Sequence, residues 1–305
     1  MNQENADATV DSPIPAVIPI ELAEGYRAWY STRLGGNSDA TYGYANMSSR
    51  QGDDEWAVSC NREALDGVIG SHVYTVYQVH SGEVVLMDEI EDKTKMTELE
   101  ADGIVSTSDE AFGVFGADCL PVLLVDPHAR VSGVAHCGRR GLMNGIIEQT
   151  VAAMEFKGAH REHIRATLGP CICGQCYEVG NDIAMAFEEK FPGTATITQF
   201  GGAGIDLEKA ALQALKKADV LQDNLVDSLP RVAAATEYLT PDPELRELCE
   251  NDEEGSSSVE ERMNLMHNAL CTRENPLWFS YRRATLAGKD VSGRMLACVS
   301  PYKSE

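Results

Sequence analysis

Three short segments each bring a metal-capable side chain to the end of an apolar run. Gln78-Val79-His80 closes the first, Asp118-Cys119 lies between the second and third, and Val134-Ala135-His136 ends the last. His80 and Cys119 are separated by 39 residues and Cys119 and His136 by 17. Both gaps are too long for a local zinc knuckle, so the ligands must converge through the fold. Two histidines and one cysteine leave the fourth tetrahedral position to water or substrate, which is the pattern of a catalytic zinc. Zinc placed there lowers the pKa of a bound water or polarises a leaving group. The same residue types also have plain structural uses, a histidine as a hydrogen-bonded strand end and a cysteine as core filler.

Two further groups of residues invite chemistry. Cys171-Ile172-Cys173-Gly174-Gln175-Cys176 is the denser local cysteine signal. No second cysteine pair at matching spacing accompanies it, so it reads as unpaired thiols in a reducing loop. Cys137 reads as a spare thiol beside His136. Arg33-Leu34-Gly35-Gly36 and Gly138-Arg139-Arg140-Gly141 pair arginine with glycine. Glycine lets backbone approach a ligand, and the arginine fork fits phosphate oxygens. The second turn also feeds a predicted helix, whose N-terminus attracts anions. Walker, Rossmann and Gly-x-Ser-x-Gly patterns are absent. Tyr281-Arg282-Arg283 and Gly293-Arg294-Met295 are further arginine turns with little signal of their own.

The elements that must position these residues alternate along the chain. Val73 to Val79 reads as a strand with Gly82 to Met87 as its hairpin partner. Ala111 to Phe115, Val122 to Val125 and Val131 to Ala135 are three short strands separated by turn residues. Leu142, Ile146, Ile147, Thr150, Val151 and Met154 recur at helical spacing. Ile164 to Leu168 and Met295 to Val299 read as strands, and Asp182 to Phe191 as a helix. Asp206 is a good N-cap for a helix carrying Leu207, Ala211, Leu215 and Ala218 on one face. Hairpins mixed with helical crossovers predict an α/β (α+β) fold with one main domain.

Residues 1–20 hold three prolines and read as a loose tail, with the domain spanning 21–305. The stretch from about 240 to 261, with its run Glu250 to Glu254 and Gly255-Ser256-Ser257-Ser258, reads as a solvated acidic insertion with a helical turn around Glu244 to Cys249.

Lys and Arg total 25 against 48 Asp and Glu, a net charge of −23. That balance excludes a nucleic-acid backbone reader and docking on anionic lipid, but not a local basic pocket for a small anion. Hydrophobic residues at 43% are ordinary for a globular domain. No apolar run reaches membrane-spanning length. Met1 to Asp11 carries no basic n-region or apolar h-region, and the nine cysteines are an odd count, so the chain reads as cytoplasmic with reduced thiols.

These motifs together resemble the laccase-domain family, whose members carry a multicopper polyphenol oxidase label and are now associated with purine nucleoside phosphorylase activity. The opening Arg33-Leu34-Gly35-Gly36-Asn37-Ser38 is similar to that family's RHGGVS-type motif. Asn61-Arg62, Gln78-Val79-His80, Ala101-Asp102-Gly103, Ala117-Asp118-Cys119 and Ala135-His136 follow in the family's order. Leu168-Gly169-Pro170, Tyr177-Glu178-Val179-Gly180, Phe279-Ser280-Tyr281-Arg282-Arg283 and Gly293-Arg294-Met295 complete the series. The resemblance spans about residues 25–300. It implies one compact α/β/β/α layered domain of the kind shared with cysteine-hydrolase-like toxin domains. It also implies zinc at His80, Cys119 and His136, with Arg33, Arg62 and Arg140 holding phosphate. Leu34 and Arg139 depart from it, standing where histidine and tryptophan are usual.

The implied function is a zinc-dependent purine nucleoside enzyme with small-molecule substrates: phosphorolysis of adenosine, inosine, guanosine and methylthioadenosine, and deamination of adenosine. A Cys-His-His site also accepts copper, but the His-rich motifs of a true multicopper oxidase are lacking. The alternatives are an amidohydrolase acting on a peptidoglycan precursor, a thiol hydrolase using Cys119, a laccase-like oxidase, and a silent metal- or nucleoside-binding module.

Overall fold

A computed structural model describes residues 13–302. Its strands, in chain order, are β1 (Val17–Ala23), β2 (Tyr26–Ser31), β3 (Val73–Tyr74), β4 (Val84–Leu86), β5 (Gly103–Ser106), β6 (Ala111–Gly116), β7 (Leu120–Asp126), β8 (Val131–Cys137), β9 (Arg165–Leu168), β10 (Ala195–Ile197), β11 (Ala203–Ile205), β12 (Leu225–Val226) and β13 (Met295–Pro301). The helices are α1 (Glu55–Ile69), α2 (Arg139–Met143), α3 (Ile146–Phe156), α4 (Asn181–Lys190), α5 (Leu207–Lys217), α6 (Leu229–Leu239), α7 (Pro243–Asn251), α8 (Val259–Asn264) and α9 (Tyr281–Leu286). None of them is long and apolar enough to cross a membrane.

Two mixed sheets carry the molecule. The first has the order β1-β2-β13-β6-β3 and the second β12-β9-β7-β8-β5-β4, with β10 and β11 forming a separate ribbon. Strand alternation explains why they stack. In β7, Leu123 and Val125 join the core between the sheets, whereas Leu120, Val122 and Leu124 face the helices behind. In β13, Met295, Ala297 and Val299 point to the inter-sheet core, and Leu296 and Cys298 point outward with Leu65 of α1. Strands buried on both faces are continuous apolar runs for this reason. The layers are therefore α1, first sheet, second sheet, and α3 with α5, the α/β/β/α order expected.

The helices follow local rules. α5 starts at Asp206, whose side chain accepts from Lys209 N, and buries Leu207, Ala210, Ala211, Ala214 and Leu215. The helical run from Leu142 to Met154 is broken in two, because Gly145 sits at φ +79° between α2 and α3. The orphan carbonyls at the end of α2 are met by Lys190 Nζ, 3.2 Å from Leu142 O and 2.7 Å from Met143 O.

Three expectations need correction. The tail ends early: Val17 to Ile20 already pair with Ala28 to Ser31 in β1, because Ile18, Ile20 and Leu22 supply one core face; residues 1–12 lie outside the described residues. Val73 to Val79 and Gly82 to Met87 do not form a hairpin. β3 joins β6 in the first sheet, β4 joins β5 in the second, and the chain between them crosses from one layer to the other. The stretch 240–261 is not a solvated loop. It contains α7 and part of α8, with Leu245, Leu248, Cys249 and Val259 in the core and Asp252 and Glu254 buried.

Candidate metal centre and its cleft

The layer crossing builds the site. The β3–β4 connection and the β6–β7 connection both leave the first sheet and enter the second. His80 lies on one and Cys119 on the other. β8 pairs with β7 so that His136 stands opposite Pro121, next to Cys119. The ligand atoms of His80, Cys119 and His136 consequently lie within 4.8 Å of one another. Cys119 Sγ is 3.7 Å from His80 Nε2, and the two imidazoles meet edge to face at 4.9 Å.

One carboxylate positions both histidines. Asp102 Oδ1 lies 2.7 Å from His136 Nδ1, and its Oδ2 accepts from Val79 N, Ser81 N and the Ser81 hydroxyl. The backbone amides on either side of His80 are thus pinned, which holds His80 at φ +62°. A carboxylate on Nδ1 leaves Nε2 of His136 free for a metal, the usual support of a ligating histidine. Burial pushes the Asp102 carboxyl up, but the His136 hydrogen bond and charge and the Ser81 donors outweigh it and hold it at about 2. Burial also raises the Cys119 thiol and lowers the His136 imidazole. Their mutual attraction, with His80 and Asp102, outweighs burial in both, bringing Cys119 down to about 6 and His136 up to about 9. Cys119, His136 and Asp102 are thus coupled through charge, which marks an organised site.

Cys119 is delivered by a strained residue. Asp118 sits at φ +93°, held by Thr272 Oγ1 at 2.7 Å and Arg282 N at 2.6 Å. Gly138 leaves room for the cluster, because a Cβ there would meet Cys119 Sγ at 2.8 Å and His80 Cδ2 at 2.9 Å. The donor set, its spacing and the Asp102 support fit a single tetrahedral ion of the zinc class.

The three side chains open into a cleft of about 940 Å³. Tyr77, Phe115, Tyr177 and Tyr281 supply aromatic walls, and Arg50, Arg282 and Arg294 supply positive charge. Arg50 stacks on Tyr77 at 3.9 Å, and Arg282 Nη1 donates to Glu178 O at 2.9 Å. Arg294 Nη1 donates to Ser292 O and Gly293 O. Burial lowers its pKa, with Asp118 and Cys119 pulling the other way.

The structure does not bring the arginines expected from sequence to this cleft. Arg33 is fully buried and paired with Asp252 at 3.0 Å and Glu254 at 3.6 Å. Arg62 is half-buried and donates to Val73 O. Arg140 is exposed on α2 and does not line the cleft. Arg282 and Arg294 of the cleft come instead from the turns that carried little signal in the sequence, and Arg50 comes from the short 3-10 turn Ser49–Gln51, which no sequence motif marked. Leu34, one of the two departures, packs in the main core, and Arg139 lies outside the cleft lining. Cys137 points away into the helix-side core.

Comparison with known proteins gives a consistent picture. A family model described as multi-copper polyphenol oxidoreductase laccase matches residues 27–238. A purine nucleoside phosphorylase from Corynebacterium glutamicum is 36% identical over 217 residues, covering 70% of this chain and 87% of that protein. An adenosine deaminase from an unknown prokaryotic organism is 32% identical over 218 residues, covering 67% and 83%. A crystal structure of a DUF152-family protein from Neisseria meningitidis superposes with a TM-score of 0.69 at 26% identity, covering 95% of this chain and 99% of that one. Bacillus licheniformis YfiH superposes at 0.72 with 22% identity, covering 94% and 97%, a likeness of fold.

Proposed function

The chain belongs to the multi-copper polyphenol oxidoreductase laccase family, and from that premise we propose that it is a zinc-dependent purine nucleoside enzyme. Its reactions are phosphorolysis of adenosine, inosine, guanosine and methylthioadenosine, and deamination of adenosine. The observation that carries the reading is the convergence of His80, Cys119 and His136 at the floor of a cleft that joins aromatic walls to three arginines.

Zinc in this donor set supplies Lewis acidity toward a water or a leaving group. Asp102 keeps His136 in the tautomer that presents Nε2 to the cleft and fixes the loop carrying His80. Tyr77, Phe115, Tyr177 and Tyr281 offer flat apolar surface for a purine. Arg50, Arg282 and Arg294 gather phosphate, replacing Arg33, Arg62 and Arg140 in that role. In phosphorolysis a phosphate oxygen forms the bond to the anomeric carbon as the bond to the purine nitrogen breaks. The arginines hold that nucleophile in place and offset its charge, so positioning and electrostatics supply most of the rate. In deamination water adds at C6 of adenosine and ammonia leaves.

A product screen tests the reading. Zinc-loaded protein is incubated with adenosine and phosphate, and chromatography follows adenine, ribose 1-phosphate, inosine and hypoxanthine. Adenine with ribose 1-phosphate, or inosine, is expected; absence of all four products in metal-replete protein rejects it. A second reading rests on the 3.7 Å approach of His80 to Cys119: a thiol hydrolase with Cys119 as nucleophile. Activity that survives chelation but is abolished by alkylation marks that mode.

A further inference from the structure

We propose that Cys173, Cys176, Cys271 and Glu274 form a second metal site, closed and structural, that takes a thiophilic divalent cation of the zinc class. The second half of the motif, absent near Cys171 to Cys176 in the sequence, arrives 98 residues later. Cys171 N donates to Leu270 O and Thr272 N donates to Cys171 O, both at 3.0 Å, which zips the two loops together. Each loop then makes a tight turn: Cys176 N donates to Cys173 O, and Asn275 N donates to Cys271 O, both at 2.9 Å. Cys173-x-x-Cys176 therefore faces Cys271-x-x-Glu274. The four ligand atoms lie within 4.8 Å of one another. A tetrahedron with arms of about 2.3 Å has edges of about 3.8 Å, so a small contraction seats an ion.

Hydrogen-bond donors already reach two of the three sulfurs. Cys173 N points at Cys271 Sγ (3.5 Å), and Gln199 Nε2 points at Cys176 Sγ (3.1 Å). Such donors stabilise sulfur that carries charge. Glu274 is nearly buried. Its Oε2 accepts from His267 N and Asn268 N, and its Oε1 accepts from Cys176 Sγ at 3.2 Å and Gln199 Nε2 at 3.3 Å. Among the described residues no lysine or arginine pairs with this carboxylate, and its one ionic neighbour is His267 at 3.6 Å. A buried carboxylate among three sulfurs lacks a counter-charge, and a cation supplies it. Sulfur donors select zinc over hard cations. Four protein ligands leave no open position, which marks a structural site.

The site has a structural task. Its loops carry Ile172 and Tyr177 of the cleft wall, and Thr272, which hydrogen-bonds Asp118 beside Cys119. A metal there fastens that wall to the catalytic floor without taking part in the chemistry.

The test is independent of the proposed activity. The full chain and Cys119→Ala are loaded with Zn2+ or Co2+, dialysed against a weak chelator and measured for bound metal and near-ultraviolet thiolate-to-cobalt absorption. Cys119→Ala lacks the sulfur of the first centre, so any sulfur–cobalt band in it arises from the cluster. Retention of about one equivalent of metal with that band, and its loss in Cys119→Ala/Cys271→Ser, is expected. Metal-free Cys119→Ala, a band that survives in Cys119→Ala/Cys271→Ser, or a native disulfide among Cys173, Cys176 and Cys271 by mass spectrometry overturns the proposal. The Cys119→Ala arm leaves the cluster intact and so decides the matter even if Cys271→Ser folds poorly.

Discussion

Arg33→Met separates a structural arginine from a phosphate-binding one. Arg33 Nη1 donates to Asp252 Oδ2 at 3.0 Å and Pro276 O at 3.2 Å, and Nη2 lies 3.6 Å from Glu254 Oε2, all buried. Removing one partner of a buried ion pair costs about 3–5 kcal/mol. The low end applies here, because each acid keeps other partners. Asp252 retains Arg262 at 2.7 and 2.8 Å, and Glu254 retains Arg283 at 2.9 Å and Lys289 at 3.0 Å. Methionine also refills much of the vacated volume. A loss of about 3 kcal/mol, at 2–4 °C per kcal/mol in a domain of this size class, lowers Tm by about 6–12 °C. Calorimetry reads that shift, and steady-state assays on the same protein read the KM for phosphate, which stays within about twofold of the parent. An unchanged Tm with a tenfold higher phosphate KM refutes the burial argument and returns Arg33 to the substrate.

Other perturbations address other parts of the account. Arg294→Met, losing a charge-assisted contact of about 1.5–3 kcal/mol, raises the KM for phosphate about 10- to 100-fold, and a KM within twofold of the parent removes Arg294 from the anion site. Asp102→Asn weakens zinc binding about 10- to 100-fold in chelator competition, because the support on His136 Nδ1 is altered; unchanged affinity means that Asp102 is not a positioning residue. Gly138→Ala drives a methyl against Cys119 and His80 and lowers turnover by about 100-fold, and full activity contradicts the packing described. Asp252 and Glu254 oppose their burial through Arg262, Arg33, Arg283 and Lys289, which hold both carboxyls below their ordinary values. Their contribution is therefore fully present above about pH 5, clear of both ordinary carboxyl values, and is lost as pH falls through the lowered folded values. Thermal melts between pH 7 and 3 follow that loss, and Arg33→Met flattens it; parallel curves for the two proteins contradict the linkage.

The convergence of His80, Cys119 and His136 was legible because each ends an apolar run, and strand ends are where a layered fold brings distant side chains together. Asp102 stood inside a recognisable Ala-Asp-Gly motif, but its service to two histidines at once depends on β5 lying beside β8, which no local pattern records. Arg33 was misread for a related reason: arginine beside Gly-Gly resembles an anion loop, and the acids that neutralise it lie 219 residues away at Asp252 and beyond. The helical turn expected around Glu244 to Cys249 is α7, but the acidic run after it was misread as solvated for the same reason, since Asp252 and Glu254 are counter-ions of buried arginines. The hairpin expected after Val79 failed because a turn signal at Ser81-Gly82 marks a change of direction but does not say which sheet receives the next strand. The cysteine cluster looked incomplete because its second half comes from a distant loop.

The central claim is that His80, Cys119 and His136 form the centre of purine nucleoside chemistry. The most direct measurement is ribose 1-phosphate release from adenosine and phosphate by the zinc-loaded protein and by Cys119→Ala, side by side at matched folded concentration. The account predicts steady release by the former and at least about a 100-fold loss in the latter, since the donor that completes the triad is gone. Equal release by both proteins contradicts it.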